Sequence, residues 1–226
     1  MKEITTENIL RNYFRLADLM LKNPDLKWRD LYSVGQLESK VWLIEELETL
    51  NLNLGTVFLC GGWYASLANI MFMSQLQFDK IRSFDIDPLC ADIAETLNRE
   101  YVLKDWKFKA ATEDIHNINY NRHTYNTIKS SSPYAYDNTL VELHDEPNTI
   151  INTSCEHIED FDNWYCKIPA GKLVILQSNN YFELEEHINC VKDVEEFRDQ
   201  CLMNNLLYGG TIELQKYNRF MLIGIK

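Results

Sequence analysis

The spacing of hydrophobic positions along the 226-residue chain changes near residue 55. Before that point apolar residues recur at helical spacing, in stretches from Glu7 to Leu21 and from Gln36 to Leu50. In the second, Leu37, Val41, Ile44 and Leu47 form the expected buried stripe. Asn23-Pro24-Asp25 breaks the two apart, because proline disfavours helix in the residue before it. After residue 55 short apolar runs alternate with helix-compatible stretches. Thr56 to Cys60 reads as a strand stopped by Gly61-Gly62, with a helix from Tyr64 to Met73. Ile81 to Ile86 reads as a second strand. Asp87-Pro88 then supplies a helix cap and a first-turn proline, and Leu89, Ile93, Leu97 and Tyr101 give one buried face. Trp106 to Ala111 is a third strand, ending at Thr112-Glu113-Asp114.

The rhythm fails from Asn119 to Glu146, a stretch rich in Tyr, Asn, Ser and Thr that includes Ser130-Ser131-Ser132-Pro133. It reads as an irregular or hairpin-containing insertion over residues 117–147. Asn148 to Asn152 restores the pattern as a fourth strand, followed by a helix from Asp160 to Cys166, a turn at Pro169-Ala170-Gly171 and a fifth strand from Lys172 to Gln177. Glu183 to Met203 reads as mostly helical. Tyr208 to Leu214 and Arg219 to Ile225 read as an antiparallel hairpin. Strands alternating with helices argue for a parallel sheet covered on both faces and joined by right-handed connections. The expected organisation is a helical layer over residues 1–52 packed on one domain spanning 53–226.

Composition narrows the partners. A net charge of −12 and the lack of a basic cluster make nucleic acid an unlikely target. Six cysteines without CxxC spacing, and an N-terminus without a leader-like pattern, point to a reducing cytoplasm. No apolar stretch approaches the roughly 20 residues of a membrane span, so no membrane contact is expected.

In an open parallel sheet, ligands bind beyond the carboxyl ends of the strands where the strand order reverses. Those ends carry Gly61-Gly62-Trp63, Asp85-Ile86-Asp87, Glu113-Asp114, Asn152 to His157 and Gln177 to Asn180. The glycines allow close backbone approach, although a plain strand-to-helix turn would also use them. Asp85 is placed to accept from ribose hydroxyls. Asp87 reads as a helix cap, and Trp63 is equally explained by packing. Asp114 could accept from an adenine amino group with Ile86 and Ile115 sandwiching the ring, or be a solvated loop acid.

The ordered segments Phe58-Leu59-Cys60-Gly61-Gly62, Phe84-Asp85-Ile86-Asp87-Pro88, Ala111-Thr112-Glu113-Asp114-Ile115 and Ile150 to Asp160 resemble class I S-adenosylmethionine (SAM)-dependent methyltransferases, over residues 55–226. Glu156-His157-Ile158-Glu159-Asp160 followed by Ile168-Pro169-Ala170-Gly171-Lys172 is similar to that family's fourth and fifth motifs. The resemblance implies an α/β, Rossmann-like three-layer sandwich: a seven-stranded, mostly parallel sheet with an antiparallel C-terminal strand. It implies SAM as cofactor, with Gly61 and Gly62 lining its methionine part, Trp63 also in the cofactor site, Asp85 on the ribose and Asp114 on the adenine, flanked by Ile86 and Ile115. Asn152 and Thr153 would face the sulfonium. The family's first motif has an acid before the glycines and a third glycine, whereas here Phe58-Leu59-Cys60 precede and Trp63-Tyr64 follow. Lys40 could reach the SAM carboxylate, or be a solvated lysine.

His157 is the expected base, unless its ring is held locally at a helix start. Cys155, Glu156, Asn179, Asn180 and His187 are the expected acceptor-side residues. The spacing of Cys155, His157, His187 and Cys190 is not diagnostic of a metal site, and no metal is expected. Asn152-Thr153-Ser154-Cys155 lacks the prolines of nucleobase amino-methylating enzymes, which together with the acidic charge favours a small molecule or a protein side chain as acceptor. Two other readings stay open: a methyltransferase-like binding or assembly module, and a nicotinamide-dependent oxidoreductase.

Overall fold

Alternation along single strands sets up the layers. In β1 (Thr56–Cys60) Val57 and Leu59 enter one buried cluster, and Phe58 and Cys60 enter another, because successive side chains point to opposite faces. A computed structural model describes residues 6–129 and 139–226. The main sheet adds β2 (Lys80–Asp85), β3 (Phe108–Thr112), β6 (Thr149–Asn152), β7 (Leu173–Asn179), β8 (Asn205–Glu213) and β9 (Asn218–Ile225). Its order is β3-β2-β1-β6-β7-β9-β8. β1, β2, β3, β6 and β7 are parallel, while β9 runs antiparallel to both β7 and β8.

One face is covered by α3 (Val34–Leu50), α4 (Ser66–Met73) and α5 (Cys90–Leu97), through residues such as Leu43, Leu47, Met71 and Ala94. The other face is covered by α7 (Phe161–Lys167), α8 (Val194–Gln200) and a hairpin of β4 (His123–Ile128) and β5 (Leu140–Asp145). α1 (Thr6–Lys22) and α2 (Trp28–Leu31) bring Leu19, Trp28 and Leu31 against Tyr64, Cys90 and Leu97, near the strand ends. Asn12 of α1 and Asn69 of α4 exchange hydrogen bonds of 2.7 and 3.0 Å. No described helix is long and apolar enough to cross a membrane.

The hairpin lies within the expected insertion; Ser130 to Pro133 fall outside the described residues. It is tied to the sheet by buried polar contacts. Asp145 accepts from Arg82 Nε at 2.6 Å and from the Tyr125 hydroxyl at 2.7 Å, and pairs with Lys80. Burial pushes the Asp145 carboxyl up, but Arg82 and Lys80 outweigh this and hold it below the usual range. At the edge strand β3, Ala110 N–H donates to Glu95 at 3.2 Å and Ala110 C=O accepts from Thr127 at 3.0 Å. Side chains thus satisfy an edge that would otherwise invite another strand.

Four expectations are corrected. The buried face of α3 carries Ser39, Lys40, Leu43, Ile44 and Leu47, while Val41 is exposed. The helix after β2 ends at Leu97, where the Asn98 amide donates to the carbonyls of Ala94 and Ala65; α6 (Arg99–Leu103) follows, and Leu89 is exposed. The stretch from Glu183 is helical only over α8, whose start is capped by Asp193 accepting from Glu196 N–H at 2.8 Å. β3 also begins later than expected, because Asp105 and Trp106 adopt left-handed backbone conformations.

Candidate functional site

The strand order reverses between β1 and β6, and the residues at their carboxyl ends face one another. Gly61 turns with φ +64°, and the N–H groups of Gly61 and Gly62 donate to Phe84 C=O at 2.9 and 3.1 Å. A Cβ on Gly62 would lie 2.0 Å from Ser83 Oγ and 3.2 Å from Leu59, so only glycine fits there. Trp63 and Ala65 continue the turn with φ +50° and +53°. These are conformations that cost a residue with a side chain about 1–2 kcal/mol.

Trp63 N–H donates to Asp85 Oδ2 at 2.7 Å, and Asp87 N–H donates to Oδ1 at 3.0 Å. Each oxygen keeps acceptor capacity for a further donor, such as a hydroxyl. Across the reversal, the Asn152 amide nitrogen lies 4.0 Å from where a Gly61 Cβ would stand. Asn152 is fully buried; its oxygen accepts from Ser154 N–H at 2.8 Å, and its Nδ2 has no protein partner. Buried amide donors are normally paired, and this one is an exception. Trp63 stacks on Tyr64, ring centres 4.8 Å apart, and Tyr64 meets Trp28 at 5.8 Å, so α2 backs the glycine turn.

Beyond β3, Asp114 Oδ1 accepts from His116 N–H at 2.8 Å and caps the 3₁₀ turn Ile115–Asn117. Ile86 is exposed; Ile115 is buried in the second core cluster. Cys60, the last residue before the glycines, points into that same core with its sulfur 3.6 Å from the Tyr120 hydroxyl. Burial pushes its thiol up to about 12.

Beyond β6 and β7 lies a buried polar cluster. Glu156, in the 3₁₀ turn Cys155–His157, accepts from Asn179 Nδ2 at 2.7 Å and lies 3.4 Å from the Arg219 guanidinium. Arg219 also donates to Gln177 Oε1 at 3.3 Å and to Thr153 C=O. Lys40, from α3, donates to Gln36 Oε1 at 2.5 Å. Burial, reinforced by Arg219 and opposed by Glu156, lowers its ammonium to about 7. Lys40 is therefore not a solvated lysine.

Of the expected acceptor-side residues, Glu156 and Asn179 serve this cluster; Asn179 Oδ1 also accepts from Tyr181 N–H at 2.8 Å. Asn180 Oδ1 accepts from Asn218 N–H at 2.8 Å and fixes the start of β9. Cys155 is a correction: it is fully buried, with its thiol directed to Asn152 C=O and pushed well above the usual range by burial. His157 and His187 do come together, ring centres 4.6 Å apart. Sequence reasoning missed Arg219, whose alternating strand pattern gave no sign that its charge is buried beside Glu156. A cavity of 410 Å³ lies between Glu159, Asp162, Ile188 and Gln200.

No family model matches the chain, and no curated protein matches it by sequence. Solved structures do match. The N-methyltransferase NodS from Bradyrhizobium japonicum WM9, in complex with S-adenosyl-L-homocysteine, aligns with a TM-score of 0.59 at 10% identity, covering 94% of this chain and 98% of that one. Magnesium protoporphyrin IX methyltransferase (ChlM) from Synechocystis PCC 6803, with bound SAM, aligns with a TM-score of 0.57 at 13% identity over 100% of both chains. The fold is that of the class I SAM-dependent methyltransferases. A SAM-dependent methyltransferase from Clostridium acetobutylicum ATCC 824 aligns at a TM-score of 0.52 and 12% identity, over 96% of this chain and 98% of that one. The antiparallel β9 beside β7 is the feature that the resemblance led one to expect of this fold.

Proposed function

We propose that this chain is a SAM-dependent methyltransferase that acts on a small molecule or a protein side chain. The observation that carries the reading is the meeting of three groups at the strand-order reversal: the Gly61-Gly62 turn, the Asp85 carboxylate bonded to Trp63 N–H, and the unpartnered Asn152 amide. NodS and ChlM, whose structures hold S-adenosyl-L-homocysteine and SAM, share the fold. SAM would supply a methyl group carried on a sulfonium.

Asp85 would accept from the ribose hydroxyls, and the unused oxygen of Asp114 would accept from the adenine amino group, with Ile86 and Ile115 beside the ring. Gly61, Gly62 and Trp63 would line the methionine part through their backbone. Asn152 Nδ2 would donate to a polar atom near the sulfonium, next to Thr153. The acceptor would enter on the β6–β7 side, past His157 and His187. Alignment of the acceptor with the methyl group is the main catalytic demand of such a transfer. The net charge of −12 favours an acceptor other than nucleic acid. All six cysteines are unpaired, in keeping with work in the cytoplasm.

Calorimetric titration with SAM and S-adenosyl-L-homocysteine tests the cofactor site, and Asp85→Ala should weaken both. Mass spectrometry of extract components after incubation with labelled SAM tests turnover. Failure of the wild-type chain to bind either compound would overturn the proposal. Stabilisation by NAD(H) instead would favour the oxidoreductase reading, and binding without any labelled product would favour a binding module.

A further inference from the structure

We propose that Glu156, His157 and His187 form a binding site for a divalent transition-metal ion, with zinc as the best fit. Each side chain offers one ligand atom, and these atoms lie within 4.8 Å of one another.

The two imidazoles are already set as ligands. His157 Nδ1 lies 2.9 Å from Glu186 C=O, and His187 Nδ1 lies 2.8 Å from Tyr181 C=O. A carbonyl only accepts, so each Nδ1 carries a proton, and in the neutral imidazole each Nε2 then presents a lone pair. Fixing the tautomer through the far nitrogen is how proteins orient metal-bound histidines.

The carboxylate is divided in the same way. Oε1 of Glu156 is engaged by Asn179 at 2.7 Å and Arg219 at 3.4 Å, while Oε2 has no partner although the residue is only 2% exposed. A buried carboxylate oxygen without a donor is costly unless something electropositive meets it. The frame around the three groups is stitched together by backbone. Asn189 N–H donates to Glu156 C=O at 2.9 Å, and the Asn189 amide donates to Cys155 C=O at 3.0 Å. This holds the segment between β7 and α8 against the turn after β6.

Two imidazole nitrogens and one carboxylate oxygen are a zinc donor set of the kind that leaves a fourth position open. Magnesium and calcium prefer all-oxygen sites. The open position would take a water or an oxygen atom of the acceptor. That last point rests on the methyltransferase reading; the metal site itself does not. The lone pair of His157 is then committed to the metal and is not a proton acceptor.

The test uses the full chain, freed of metal with a chelator and titrated with zinc chloride in the calorimeter. Zinc should bind at one ion per chain, raise the melting temperature and protect residues 180–193 from proteolysis. Cobalt(II) in its place should give visible absorption bands. His187→Ala and His157→Ala should each weaken zinc binding at least tenfold. Glu156→Gln could unfold the Arg219 cluster, so the histidine variants carry the decision, with circular dichroism to confirm that they fold.

Zinc binding unchanged in the folded His157→Ala/His187→Ala double variant would overturn the site, as would an absence of binding to the wild type. Magnesium binding as tightly as zinc would overturn the transition-metal assignment. SAM is titrated separately. Zinc binding without SAM binding would uphold the metal site while removing the methyltransferase reading; SAM binding without zinc would do the reverse.

Discussion

On the β1–β2 side of the crevice the backbone does the arranging: two glycines, two left-handed residues and one half-exposed acid that accepts from Trp63 and Asp87 N–H. On the β6–β7 side the arranging is done by side chains. Glu156, Asn179, Gln177 and Arg219 are buried against one another, and Lys40 is buried nearby on α3. A site made of backbone tolerates changed side chains so long as φ and space are respected, and this is how Trp63 and Ala65 can occupy a glycine-type turn. A site made of buried charges depends on every member, because each one removed leaves another without a partner.

The comparison breaks most visibly at Arg219. Arg219→Leu leaves Glu156 buried without its cation and should destabilise the fold by about 3–5 kcal/mol in chemical denaturation. A loss below about 1 kcal/mol would mean that the cluster is not a cooperative unit.

Lys40 gives the next effect, through pH. Its folded-state value of about 7 lies below the unfolded value of about 10.4, so between these the unfolded chain holds more protons. Stability should therefore rise with pH across that window, by up to about 1.4 kcal/mol per pH unit, and Lys40→Met should flatten the rise. An identical pH profile in the variant would contradict the burial of this ammonium.

On the backbone side, Gly62→Ala should destabilise by about 1–3 kcal/mol, since the new methyl meets Ser83 Oγ and Leu59. Adding Ser83→Ala should restore part of the loss, and no restoration would show that Leu59 alone sets the limit. Asp85→Ala should weaken SAM binding by about tenfold or more, a loss of about 1.4 kcal/mol, while changing the melting temperature little. The smallest effect is at Ala65. Ala65→Gly removes the left-handed strain at φ +53° and should leave stability unchanged or raised by up to about 1 kcal/mol, the reverse of the usual glycine penalty. A clear destabilisation would show that the turn is not strained there.

Strands and strand ends were largely legible in the sequence. Short apolar runs bounded by glycine, proline or acids can be little else, and Gly61-Gly62, Asp85 and Asn152 stand at strand ends as expected. The stretch from Glu183 is helical only over α8, although Leu184, Ile188 and Val191 fall at helical spacing. Asn189, within that stretch, instead donates its side-chain amide to Cys155 C=O. The buried face of α3 includes Lys40, and nothing nearby in sequence indicates that α3 packs where a lysine is buried.

By itself, the sequence determined the change of period near residue 55, the strand–turn–helix order and the residue types at each strand end. These are local properties, set by side-chain alternation and turn chemistry. Only the tertiary structure decided that Arg219 meets Glu156, that His187 comes beside His157, and that the amide of Asn152 is left without a partner. Those outcomes depend on β9 pairing with β7 and on β6 lying beside β1, pairings between distant segments that no local pattern encodes.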